Sequence, residues 1–144
     1  MNIAFFLKPK SEVAYLYDDF SVRQGLEKMC YHGYSSIPVL DREGKYVTTV
    51  SEGDFLWYII SGENNEEEQV DIRNVEDLCV ADIIKSEKNP PVKITATMEE
   101  LLEKAMDQNY VPVVDDRDLF IGIITRRDVI KYFYENFGYS AKIS

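Results

Sequence analysis

Two four-residue signatures carry side chains suited to chemistry: Ser51-Glu52-Gly53-Asp54 and Thr125-Arg126-Arg127-Asp128. In each, a hydroxyl precedes a carboxylate at Ser/Thr-x-x-Asp spacing, directly after an apolar run that reads as a strand. A helix starting there leaves unpaired backbone N–H groups and the positive end of its dipole, which attract phosphate. Arg126 and Arg127 add forked, permanently charged donors that match phosphate oxygens. Asp128, acceptor-only when ionised, suits the two hydroxyls of a ribose 2′,3′-diol. An anionic end and a diol end within one turn describe a nucleotide. The same spacing also describes a capping box, in which the hydroxyl and the carboxylate satisfy helix-start N–H groups reciprocally. The two readings are compatible, because a capped helix start can still face a cleft. Capping needs no cations, so Arg126-Arg127 make the second signature the expected anchor for a ligand's charged end. Glu52 stands where the first signature would want a cation.

The elements that must position these signatures are duplicated. Ser36-Ile37-Pro38-Val39-Leu40-Asp41 recurs as Tyr110-Val111-Pro112-Val113-Val114-Asp115, and Pro38 to Asp54 has the same spacing as Pro112 to Asp128. An internal repeat decides the architecture before any single residue decides the chemistry. Upstream, Val22, Leu26, Met29 and Cys30 fall at helical spacing, as do Met98, Leu102, Ala105 and Met106, with Leu101 adding a further position. Each unit reads strand, helix, strand, strand, helix. The opening strands are expected at Val13–Tyr17 and Pro91–Ile94. The hairpins join Ile37–Leu40 to Tyr46–Val50 and Val111–Val114 to Phe120–Ile124, with turns at Asp41-Arg42-Glu43-Gly44 and Asp115-Asp116-Arg117-Asp118. The closing helices are expected over Asp54–Ile60 and Asp128–Glu135. A residue before proline is pushed toward extended geometry. Ser36, Ile37, Tyr110 and Val111, beside Pro38 and Pro112, are therefore candidates for a wall that reads a flat base. The alternative is a strand edge where proline blocks aggregation.

Each repeat has only about 60 patterned residues, a size that buries about 60% of its unfolded surface and is marginal alone. The two are expected to pack as one pseudo-symmetric module of the α/β (α+β) class, with repeats at 1–62 and 79–144 and an acidic linker at 63–78. That linker holds Glu66-Glu67-Glu68 and reads as a solvated face. A net charge of −10 counts against nucleic acid and anionic membranes as partners. Ile3–Leu7 is too short to span a bilayer, and no signal-peptide pattern precedes it. Cys30 and Cys79 are isolated thiols, so a reducing cytoplasm is the simpler expectation.

The twofold strand-helix-strand-strand-helix unit, with hydrophobic-Pro-Val before each hairpin and Gly-Ile-Ile-Thr-x-x-Asp before the last helix, resembles a tandem CBS-domain pair (a Bateman module). The resemblance runs from about Phe6 to Phe137, outside the acidic linker. It implies two pseudo-symmetric clefts for adenosine-containing ligands such as AMP, ADP, ATP, S-adenosylmethionine or cyclic di-AMP. It also implies ribose and phosphate contacts from Ser51, Asp54, Thr125 and Asp128. The second repeat, with four positions from the helix end at Gln108 to Pro112 against six from His32 to Pro38, and the run Phe120-x-Gly-Ile-x-Thr-Arg-Arg are similar to stand-alone CBS proteins of Gram-positive bacteria that bind cyclic di-AMP. Such pairs form disc-like dimers, which implies a homodimer.

Catalysis is not expected. His32, the single histidine, stands at a helix end, and no phosphate-binding Gly-Lys loop, serine elbow or zinc-ligand spacing appears. The expected function is a regulatory sensor that requires no cofactor, binds an adenine nucleotide as its regulatory ligand, and signals to an unidentified protein partner in trans. The competing expectation is a constitutive dimeric scaffold with empty clefts, in which both signatures only cap helices and aromatic-rich ends such as Phe55–Tyr58 bury at an interface.

Overall fold

The duplicated spacing becomes a duplicated register. A computed structural model describes residues 1–63 and 78–138 of the chain; the rest of the predicted linker lies outside them. Strands and helices follow in the order β1 (Lys8–Pro9), β2 (Leu16–Tyr17), α1 (Val22–His32), β3 (Ser36–Leu40), β4 (Tyr46–Ser51), α2 (Glu52–Glu63), α3 (Val80–Ile83), β5 (Val92–Lys93), α4 (Met98–Asp107), β6 (Tyr110–Val114), β7 (Phe120–Thr125) and α5 (Arg126–Phe133). Short 3-10 turns cover Ile3–Phe6 and Lys10–Glu12, and a π-helical turn, Tyr134–Gly138, follows α5.

In the hairpins Pro38 lies opposite Thr49 and Pro112 opposite Ile123, with an irregularity after Val39 in one and after Val113 in the other. The turns repeat as well. Asp41 Oδ1 accepts the Glu43 and Lys45 amides at 2.9 Å each, and Asp115 Oδ1 accepts those of Arg117 and Leu119 at 2.8 and 2.9 Å. An aspartate at this place binds its own backbone and stabilises the turn, which is why the type recurs. Gly44 and Asp118 occupy the matching left-handed positions, at φ 88° and 65°.

The chain forms two compact units, Ala14–Lys88 and Met1–Val13 with Asn89–Ser144. The first holds the sheet β2-β3-β4 over a core of Leu16, Val22, Met29, Ile37, Val39, Val50, Phe55, Val80 and Ile83. The second holds the sheet β1-β7-β6-β5 over Ile3, Phe6, Val92, Leu101, Ala105, Val111, Val113, Ile124 and Val129. The spatial units exchange ends relative to the repeats read along the sequence. The N-terminal segment packs in the second unit, because β1 pairs antiparallel with β7 and buries Ile3 and Phe6. Val80 and Ile83 of α3 fill the first core, and the Val22 and Val80 amides donate to Leu78 and Phe20 carbonyls at 2.8 Å.

Four expectations change in detail. The opening strands shrink to Leu16–Tyr17 and Val92–Lys93, each pairing parallel with only the last two residues of its neighbour. Pro38 and Pro112 do not sit on edge strands, since β3 and β6 are interior. They are tolerated because β2 and β5 reach only Val39–Leu40 and Val113–Val114, so no ladder partner faces the prolines on that side. The helical stripes rotate: α1 buries Val22, Gly25 and Met29 but exposes Cys30, while α4 buries Leu101 and Ala105 and exposes Leu102 and Met106. Short amphipathic helices fit two adjacent faces by spacing alone, and packing on the sheet selects between them. The closing helices begin two residues earlier than expected, at Glu52 and Arg126.

Candidate functional site

At the first signature the capping box closes. The Ser51 amide donates to Asp54 Oδ2 at 2.8 Å, its hydroxyl donates to the same oxygen at 3.1 Å, and the Asp54 amide donates to Ser51 Oγ at 3.3 Å. The other carboxylate oxygen faces a cation that sequence reading missed. Lys88 Nζ lies 2.6 Å from Asp54 Oδ1. Burial pushes the Asp54 carboxyl up, but the hydrogen bonds from Lys88 and Ser51 outweigh it and hold the group below the ordinary aspartate range. Lys88 is fixed by its own backbone: its amide donates to Thr48 Oγ1 at 2.8 Å, and its carbonyl accepts the Tyr46 hydroxyl at 2.8 Å. Asp54, Thr48, Thr49, Lys85, Ser86 and Lys88 wall a hollow of about 180 Å³.

At the second signature only half of the box forms. The Asp128 amide donates to Thr125 Oγ1 at 3.1 Å, and the Asp128 side chain, exposed at the start of α5, has no hydrogen-bond partner among the described residues. Asp128 lines a larger hollow of about 570 Å³ with Phe5, Lys8, Glu12, Lys131 and Tyr132. The aromatic wall is built by edge-on contacts of Phe5 and Phe6 with Tyr132, centroids 5.3 Å apart. The N-terminal segment thus contributes to this site, which no local pattern around Thr125–Asp128 announces.

The arginines lie elsewhere. Arg126 Nε donates to the Ala105 carbonyl at 2.6 Å and a terminal nitrogen donates to that of Met106 at 3.3 Å. These are the last carbonyls of α4, which have no partner within their own helix and favour a cation. Arg126 and Arg127 line a different hollow from Asp128, beside Asn109 and Ile130. The constellation read from adjacency therefore divides around the helix start. Ser36, Ile37, Pro38, Tyr110, Val111 and Pro112 lie within the central strands; Ile37 and Val111 are fully buried core residues, and none of the six lines the Asp54 or Asp128 hollow.

Two hollows thus each carry the aspartate of a duplicated Ser/Thr-x-x-Asp helix start on the wall. The family model for the CBS domain matches the chain twice, over residues 6–61 and 80–135. The chain belongs to the CBS-domain family. It is a tandem CBS pair of mixed α/β structure. Cyclic di-AMP receptor B of Bacillus subtilis (strain 168) is 27% identical over 130 residues, covering 90% of this chain and 84% of that protein. Inosine-5'-monophosphate dehydrogenase of Methanocaldococcus jannaschii is 26% identical over 113 residues, 78% of this CBS chain but 20% of the enzyme. That likeness covers a fifth of the dehydrogenase and brings no catalytic activity to this chain. Among solved structures, CbpB of Listeria monocytogenes in complex with c-di-AMP superposes with a TM-score of 0.80 at 27% identity, covering 95% of this chain and 98% of that one. CBSX2 in complex with AMP superposes at 0.70 with 25% identity, covering 93% and 96%. No helix among the described residues is long and apolar enough to cross a membrane.

Proposed function

We propose that this CBS pair is a non-catalytic regulatory sensor. It binds an adenosine-containing ligand (AMP, ADP, ATP or cyclic di-AMP) at its Ser/Thr-x-x-Asp signatures and passes its state to a protein partner in trans. The observation that carries the reading is the placement of Asp54 and Asp128, each held at a capped helix start on the wall of a hollow. A carboxylate there accepts ribose hydroxyls, and the adjoining N–H groups and lysines suit phosphate. The similarity to a cyclic di-AMP receptor and to CBS proteins solved with c-di-AMP or AMP supports the ligand class. A ligand shifts such a sensor only through unequal affinity for two states, so binding must favour one arrangement of the chain.

Titration with AMP, ADP, ATP, S-adenosylmethionine and cyclic di-AMP, followed by thermal denaturation, tests the proposal. A ligand at about 100 times its dissociation constant stabilises the folded chain by about 2.7 kcal/mol. Absence of a shift with every ligand removes the sensor reading. The remaining reading is the constitutive scaffold, which the exposed Leu56 and Trp57 on α2 and Met106 on α4 favour as association surface. Twofold pairing of two chains is the form of association proposed in either case.

A further inference from the structure

At the second signature the first of the two arginines is engaged by backbone. Arg126 is committed to the Ala105 and Met106 carbonyls, at 2.6 and 3.3 Å. At the first signature Lys88 arrives from outside the local sequence, 34 residues beyond Asp54. Its backbone is pinned on both sides by Thr48 and Tyr46, so the side chain starts from a fixed point on the wall of the hollow. An ammonium has three donors, and Asp54 takes one. Nearly half of the Lys88 side chain, 46%, is exposed, which leaves the other donors accessible. The neighbouring lysine is differently engaged, because Lys85 Nζ stands 5.2 Å over the Trp57 ring.

The bland account of Lys88 is a stabilising ion pair. Pairs this exposed contribute little to folding, since water screens them and two side chains must be ordered. The wall around the pair sets the hydroxyls of Thr48, Thr49 and Ser86 beside the apolar Val50, Ile83 and Ile84. Resting on the nucleotide reading above, we infer that Lys88 is the specificity-determining residue of the first signature, with its ammonium bridging Asp54 and a phosphate group of the bound nucleotide. The first signature is then a working anion site rather than a structural echo of the second, and the local Glu52 is offset by a cation from a distant segment.

The test isolates the first signature in an Asp128→Ala chain and measures binding of AMP, cyclic di-AMP and adenosine by calorimetry. The Asp128→Ala protein is expected to prefer the two phosphorylated ligands over adenosine. Adding Lys88→Gln is expected to weaken both by about tenfold or more, equivalent to about 1.4 kcal/mol, while adenosine binding changes less than about threefold. Lys88→Arg is expected to retain the preference, and thermal denaturation verifies that each variant is folded. If Lys88→Gln weakens AMP and adenosine equally, Lys88 only holds Asp54 in place and the inference is overturned. If Asp128→Ala abolishes all binding while the unmodified chain binds, the first signature is empty and the inference is again overturned. If the unmodified chain binds none of the three, the nucleotide reading itself fails and this inference fails with it.

Discussion

Gly122 faces the backbone of β1 with no room for a side chain, and replacing it with alanine tests how the N-terminal segment is held. Pro9 of β1 lies opposite Gly122 and Lys8 opposite Ile123. A methyl group on Gly122 would collide with the Lys8 carbonyl oxygen and come within 2.9 Å of Leu7 Cδ1. A backbone carbonyl cannot swing aside as a side chain can, so either the sheet distorts or β1 leaves it. Distortion at an overpacked position costs about 1–3 kcal/mol. Departure of β1 exposes Ile3 and Phe6, which are 0% and 7% exposed in the folded chain. Full burial of such side chains is worth about 1.5–3 kcal/mol each, so detachment costs about 3–6 kcal/mol. The smaller cost wins, and Gly122→Ala is expected to destabilise by about 1–3 kcal/mol with the strand strained but still docked. Urea denaturation measures the loss, and hydrogen exchange of β7 amides reports whether β1 remains. The Asp128 hollow is a further readout, because Phe5, Leu7 and Lys8 line it and move with the strand. Stability within about 0.5 kcal/mol of the unmodified chain, with unchanged β7 exchange, would refute the steric argument.

Leu101→Ala in α4 is expected to cost about 2–5 kcal/mol, whereas Leu102→Ala at the adjacent position is expected to cost less than about 1 kcal/mol in the same denaturation assay. The two differ because Leu101 is fully buried and Leu102 is 38% exposed; similar losses would mean that the helix presents the face suggested by spacing instead. Asp54 gives a pH-dependent prediction. Its carboxyl is held below its unfolded value, about 3.9, so its contribution is present above that pH and is lost as pH falls through the lower folded value. Asp54→Asn is therefore expected to flatten the stability profile below about pH 4 and leave the shape above about pH 6 unchanged. An identical acid slope in both proteins would show that the Lys88 pair contributes nothing to acid sensitivity.

What could be read along the chain was local. The Pro-Val strands, the aspartate-centred turns and the Ser/Thr-x-x-Asp helix starts each depend on residues within a few positions of one another. Asp41 and Asp115 bind their own turns, and Ser51 and Thr125 cap their own helices. Contacts set by long-range packing were not legible in this way. The amphipathic spacing of α4 put both Leu101 and Leu102 on the apolar stripe, and only docking on the sheet distinguishes them. Lys8–Pro9 offered no pairing partner by pattern, because its partner strand, β7, lies more than a hundred residues away.

The same division between local and distant contacts explains why adjacency in sequence does not show which charges meet at the two signatures. On a helix, consecutive side chains diverge by about 100°. Arg126 and Asp128 are therefore separated in direction although they are close in sequence, and the arginine fork turns to the carbonyl end of α4. Lys88 is remote from Asp54 in sequence, yet the Thr48 and Tyr46 hydrogen bonds bring its backbone to the edge of β4 and its ammonium to the carboxylate. Adjacency at a helix start supplies a cap; a charged partner for the cap's carboxylate has to come from another segment. In a duplicated scaffold that segment is where the two copies can differ most, because the signatures are constrained by the helix they begin and the segments that face them are not.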